Sequence, residues 1–76
     1  MKIIIIGGCG FIGFNNFLNL ANKKNKITII DDLSGNSSKK NFILIKKKYP
    51  KQSILRFNIK NYSKVKNVIK KIKPSI

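Results

Sequence analysis

The chain alternates between short unbroken apolar runs and longer stretches where apolar residues return every three or four positions. Lys2 to Ile6 is β-branched throughout after its lysine, the make-up of a strand buried on both faces of a parallel sheet. From Phe11 to about Lys23 the apolar side chains fall at 11, 12, 14, 17, 18, 20 and 21, a helical stripe. Asn22-Lys23-Lys24-Asn25 is the polar exit from that helix. Lys26 to Ile30 predicts a second buried strand, and Asp32 to Ser38 a turn-rich loop containing Ser34, Gly35, Asn36, Ser37 and Ser38. Lys39 to Tyr49 reads as a helix that packs through Phe42, Ile43, Ile45 and Tyr49 and is stopped by Pro50. Ser53 to Phe57 is a third short strand. Asn61 caps a last helix with an apolar face of Tyr62, Val65, Val68, Ile69 and Ile72, ended at Lys73 by Pro74.

The order is therefore β-α-β-α-β-α, with connections long enough for right-handed crossovers between parallel strands. This is an α/β architecture, half of a Rossmann-type doubly wound fold with strands in spatial order 3-2-1. Ser75-Ile76 reads as the first step into a further strand, so residues 1–76 are expected to be the N-terminal part of a dinucleotide-binding domain, truncated before strand 4. Strand 1, central in a complete fold, is then left with an unpaired apolar edge, a template for association. A domain of this length buries roughly 60% of the surface its unfolded chain exposes, so marginal stability is expected.

Charge alters this picture little. Two acids stand against sixteen lysines and one arginine, a net charge of +15. Such a balance raises a nucleic-acid or anionic-membrane reading. The lysines are scattered, however, and mixed with asparagine and isoleucine, which share A/T-rich codons; an AT-rich genome is the simpler source. A lone Arg56 and the lack of a basic helix with base-reading side chains also speak against nucleic acid. Cys9 is the only cysteine, which excludes an intramolecular disulfide and suits a reducing cytoplasm. With no histidine in the chain, Cys9 reads as a small side chain in a tight turn rather than a nucleophile or ligand. The apolar start is interrupted by four glycines and followed by no cleavage site, so a signal peptide is not expected. No stretch approaches the roughly 20 apolar residues of a membrane span.

The chemistry concentrates in two places. Glycines at 7, 8, 10 and 13 join strand 1 to helix 1 and satisfy both Gly8-x-Gly10-x-x-Gly13 and Gly7-x-x-Gly10-x-x-Gly13. Eighteen residues past Gly13, strand 2 ends on Asp31, followed by Asp32, and these are the only acids in the chain. Glycines at a strand-to-helix turn let the backbone approach a pyrophosphate at the helix N-terminus, and an acid at the next strand end accepts hydrogen bonds from a ribose diol. A carboxylate at 31, with no base before Lys39, repels a 2′-phosphate and favours NAD over NADP. Asp32 has a plainer role open to it, capping the following loop.

Gly7-Gly-Cys-Gly-Phe-Ile-Gly13, Asp31-Asp-Leu-Ser34 and Phe57-Asn-Ile59 together resemble the N-terminal segment of the extended short-chain dehydrogenase/reductases, the NAD-dependent nucleotide-sugar epimerases and dehydratases. With Lys40-Asn41-Phe42 added, the pattern is most similar to the CDP-paratose (CDP-tyvelose) 2-epimerase branch, then to the UDP-glucose 4-epimerases. The resemblance implies that Gly7, Gly10 and Gly13 form the phosphate turn, with the Phe11 and Ile12 amides facing the pyrophosphate. It implies that Asp31 takes the adenosine ribose, and that Asn58 and Ile59 sit against adenine where the family usually has an acid and an aliphatic residue. Ile6, Phe14 and Gly35 depart from the pattern, where the family tends to have Thr, a small residue and, in the 2-epimerases, a base.

The family's catalysis rests on a Tyr-x-x-x-Lys pair following a later strand. Tyr62-Ser-Lys-Val-Lys66 has that spacing but opens the helix after strand 3, so it reads as a decoy, with Tyr62 in core or cap packing. No catalytic residue is expected here; a nucleotide-sugar substrate and a homodimer belong to a longer parent enzyme. Two other readings stay open: a non-catalytic nucleotide-binding sensor or subunit module, and a small basic nucleic-acid-binding protein.

Overall fold

Three parallel strands carry the structure. The computed structural model describes residues 1–21, 24–35 and 37–74. Its elements run β1 (Lys2–Ile6), α1 (Phe11–Ala21), β2 (Lys26–Asp31), α2 (Ser38–Lys48), β3 (Ser53–Arg56) and α3 (Tyr62–Ile72). The strands lie in the order β1-β2-β3, which is the expected 3-2-1 arrangement counted from the other edge. In register, Lys2 stands opposite Lys26 and Ile6 opposite Ile30, while Asp31 stands opposite Arg56.

Boundaries shift by a residue at four places. Among the described residues α1 stops at Ala21; the expected end at Lys23, the first half of the polar exit, Asn36 and the Ser75-Ile76 step lie outside them. Strand β2 runs one residue further, through Asp31, because that residue still pairs with Arg56. Helix α2 begins at Ser38 and ends at Lys48, with Tyr49 as its C-cap donating its N–H to the Ile45 carbonyl. Strand β3 ends at Arg56 rather than Phe57.

Alternation along the strands sends their side chains to two faces. On one face Ile3, Ile27 and Ile29 form the core with Cys9, Phe17, Leu33 and Ile45, so that α1 and α2 both pack there. Phe17 is fully buried and meets the Tyr49 ring edge-on, with centroids 5.2 Å apart. Each such fully buried side chain contributes about 1.5–3 kcal/mol. Phe14, bulky for its position, packs against this core instead of disturbing the turn before it. On the other face Thr28 and Ile30 are buried as well, and the last turn of α3 reaches back to the start of the sheet, where Lys71 and Ile72 share a cleft with Lys2 and Lys26.

The placement of α3 corrects one expectation. Its amphipathic pattern is present, and Asn61 caps it by accepting the Lys64 N–H at 3.3 Å, but no residue of α3 is buried. Tyr62 is 78% exposed and does not pack in the core. The apolar face of α3 is only partly covered: Val65, Val68 and Ile72 are half-buried, while Tyr62 and Ile69 stay exposed.

Candidate functional site

The site is built at the C-terminal ends of the strands. Gly7 leaves β1 with φ +73°, a conformation that a side chain resists, and donates its N–H to the Ile30 carbonyl at 2.7 Å. The chain then folds back so that the Gly10 N–H bonds the Gly7 carbonyl at 3.0 Å. Helix α1 starts directly against that carbonyl: a Cβ on Gly13 would overlap the Gly7 oxygen and lie 2.8 Å from the Gly7 carbonyl carbon. The first bond into α1 is Phe14 N–H to the Gly10 carbonyl, at 2.8 Å. The N–H groups of Phe11, Ile12 and Gly13 therefore have no backbone acceptor among the described residues, as the first turn of any helix requires. The Phe11 and Ile12 side chains point outward, 78% and 74% exposed, so only their backbone serves this turn.

Asp31 is joined to the same loop. Its Oδ2 accepts the Cys9 N–H at 3.0 Å and its Oδ1 accepts the Leu33 N–H at 2.8 Å, with the side chain buried. Each carboxylate oxygen keeps a second lone pair for another donor. Burial, then the neighbouring Asp31 charge, pushes the Cys9 thiol up to about 11, so it stays protonated and unreactive near neutrality. Asp32 is fully exposed; hydrogen bonds from the Ser34 hydroxyl and N–H hold its carboxyl below the usual range. Asp32 thus caps its own loop, and it also lines the cleft between the loops.

Ile6, Gly7, Ile30, Asp31, Asp32, Phe57 and Ile59 line one cleft of about 120 Å³. Apolar side chains and two acids share its lining. Asn58 stands beside it rather than in its lining. The Asn58 Oδ1 accepts the Lys60 N–H at 2.8 Å, and its Nδ2 lies 3.4 Å from the Asp32 Oδ2. That contact ties the loop after β3 to the loop after β2. Tyr62 and Lys66 do not approach the cleft; they line a shallow exposed surface on α3 with Val65, Ile69 and Lys70.

Two supporting residues escaped the sequence reading. Asn41, singled out only within a family pattern, donates its amide to the Cys9 carbonyl at 2.8 Å and so binds α2 to the glycine turn. Gln52 accepts the Ile27 N–H at 2.7 Å and donates to the Asn25 carbonyl at 3.0 Å, fastening the start of β2. An isolated Asn or Gln carries no pattern that marks such a partner 25 to 32 residues away.

No protein-family model and no curated protein matches the chain. Solved structures do. The UDP-Glc/GlcNAc 4-epimerase of Campylobacter jejuni superposes with a TM-score of 0.83 at 23% identity, over 96% of this chain and 22% of the enzyme. The Bordetella bronchiseptica enzyme WbmG, solved in complex with NAD, gives 0.82 at 19% identity, over 99% and 23%. The dTDP-glucose 4,6-dehydratase of Bacillus anthracis, also in complex with NAD, gives 0.81 at 28% identity, over 97% and 24%. The chain thus spans less than a quarter of the length of each. Its three-stranded α/β unit is a truncated Rossmann-like fold, and that fold is the one found within these sugar-nucleotide epimerases and dehydratases.

Proposed function

We propose that the chain is the adenosine-binding, N-terminal part of an NAD-dependent enzyme of the nucleotide-sugar epimerase/dehydratase kind. Among such enzymes the CDP-paratose 2-epimerases come first by motif and the UDP-glucose 4-epimerases second. One observation carries the reading: the Asp31 carboxylate, at the end of β2, is hydrogen-bonded into the glycine turn at 3.0 Å. Diol acceptor and phosphate turn are thereby one preassembled unit.

The residues present fit a dinucleotide. Among the described residues the Phe11, Ile12 and Gly13 N–H groups have no backbone acceptor, at a helix N-terminus where an anion is favoured. Gly7, where a Cβ would meet open space, adds no side chain to the approach, while Gly10 and Gly13 let the helix start sit directly against the Gly7 carbonyl. The spare lone pairs of Asp31 face a ribose diol, and Asp32 adds negative charge that discourages a 2′-phosphate. Ile59 and Phe57 give adenine an apolar wall, and Asn58 steadies that wall through Asp32. Bound NAD would supply hydride transfer to and from a sugar carbon. The residues of this chain bind and orient; a base and a sugar pocket belong to the rest of a longer parent, as do a nucleotide-sugar substrate and any homodimer.

Calorimetric titration of the chain with NAD, ADP-ribose and NADP tests this. Expected are equal affinities for NAD and ADP-ribose, at least a tenfold preference over NADP, and loss of NAD binding in Asp31→Ala. Equal binding of NAD by Asp31→Ala, or preference for NADP, refutes it.

A further inference from the structure

Cys9, in the middle of the glycine turn, is fully buried, so neither polar group of its backbone can turn to water for a partner. Side chains from two other elements supply those partners. The Asp31 Oδ2, at the end of β2, accepts the Cys9 N–H at 3.0 Å, and the Asn41 Nδ2, on α2, donates to the Cys9 carbonyl at 2.8 Å. Asn41 is held on a firm mount. Its own N–H bonds the Ser37 carbonyl at 3.0 Å, and Ile45, four residues on and so on the same face of α2, is buried in the core.

The carbonyl held by Asn41 shares one planar peptide unit with the Gly10 N–H. That N–H donates to the Gly7 carbonyl at 3.0 Å, so the plane is pinned at both of its polar ends. Gly10 is the last residue before α1, and its carbonyl accepts the first bond of that helix, from the Phe14 N–H at 2.8 Å. The orientation of the Cys9–Gly10 plane thereby sets the direction in which the Phe11 and Ile12 N–H groups leave the turn. Asn41 itself does not line the cleft beside Asp31, so its influence there passes through the turn.

We propose that Asn41 is a positioning residue for the diphosphate of the dinucleotide: from α2 it fixes the glycine turn so that the amides opening α1 meet the phosphates. This rests on the dinucleotide reading given above. A merely structural clamp would lower stability and weaken every ligand alike. A positioning residue weakens ligands that carry phosphates and spares adenosine, which keeps the diol and the base but has no phosphate. The diol acceptor survives the loss of Asn41 because the Leu33 N–H also holds Asp31, at 2.8 Å.

Asn41→Leu keeps the size of the side chain and removes its donor. NAD, ADP-ribose and adenosine are each titrated into the 76-residue chain and its variants, followed by amide NMR. Asn41→Leu should bind NAD and ADP-ribose at least tenfold more weakly and adenosine within threefold of the unmodified chain. Gln52→Leu removes a comparable clamp from the start of β2 and should leave all three within threefold. Coupling between bond and ligand is reciprocal, so NAD should in turn slow exchange of the Asn41 side-chain amide about tenfold in the unmodified chain, and adenosine should not. That measurement needs no variant and decides the matter where Asn41→Leu fails to fold. Equal losses for NAD and adenosine, NAD binding unchanged in Asn41→Leu, or Asn41 exchange indifferent to NAD would overturn the positioning role alone. An unmodified chain that binds no NAD would overturn the dinucleotide reading, and this role with it.

Discussion

Replacing Gly13 by alanine tests how tightly α1 is seated on the glycine turn. By intrinsic propensity alone, alanine in a helix is favoured over glycine by about 1 kcal/mol. Here the new Cβ would overlap the Gly7 carbonyl oxygen, and lie 2.8 Å from its carbon and 2.9 Å from the Gly8 Cα. All three are backbone atoms, so no side chain can rotate aside; either α1 lifts off the turn or the turn opens. Overpacking of this kind costs about 1–3 kcal/mol, and a rigid backbone places it at the upper end. The net loss is about 1–2 kcal/mol after the propensity gain. For a domain of this size that lowers the melting temperature by roughly 5–15 °C. Thermal unfolding followed by far-UV circular dichroism reads it directly. Gly35→Ala is the control, since its nearest neighbour is the Ser38 hydroxyl at 2.7 Å, which can turn away, and its shift should be less than half as large. A Gly13→Ala melting temperature equal to or above that of the unmodified chain refutes the close seating of helix on turn.

Three further outcomes follow from the same geometry. Phe17→Ala empties the centre of the α1–sheet core and should cost about 3–5 kcal/mol, a large share of what a chain this short can hold; an unmoved urea midpoint would contradict that packing. Gln52→Ala strips the acceptor from the buried Ile27 N–H and should cost about 1–3 kcal/mol, with faster exchange of that amide; unchanged exchange would dismiss the bridge. The Cys9 thiol, raised from 9.0 to about 11, is harder to ionise folded than unfolded. Its contribution to stability is therefore intact below pH 9 and lost as pH rises toward 11. Over that window the stability difference between the unmodified chain and Cys9→Ala should shift against the unmodified chain, and a constant difference would count against a buried thiol.

The fold was legible because each element announces itself locally. Ile3 to Ile6 and Ile27 to Ile30 have no polar side to their runs except Thr28, which suits strands covered on both faces. Asn61 and Pro74 mark the ends of α3 from either side. The pairing of a glycine turn with an acid at the next strand end was legible too, since both are backbone-driven and close in sequence. What Asp31 does with its oxygens was not. Its first partners are the Cys9 and Leu33 amides, which depend on where β2 ends relative to the turn after β1. The core option for Tyr62 failed for a related reason: helical spacing shows which face is apolar, not how much of that face the sheet covers, and Tyr62 at the start of α3 is left exposed.

Alternating apolar runs, caps and glycines thus determined the six elements, their order and the end of the sheet where a nucleotide would lie. These are consequences of backbone conformation and hydrophobic periodicity, which act over a few residues. Only the tertiary structure decided the couplings that span 22 to 32 residues: Asp31 into the glycine turn, Asn41 onto the Cys9 carbonyl, and Gln52 beneath β2. It also decided that Lys2, Lys26 and Lys71 line one cleft, because strand register and the return of α3, not sequence proximity, set which residues become neighbours.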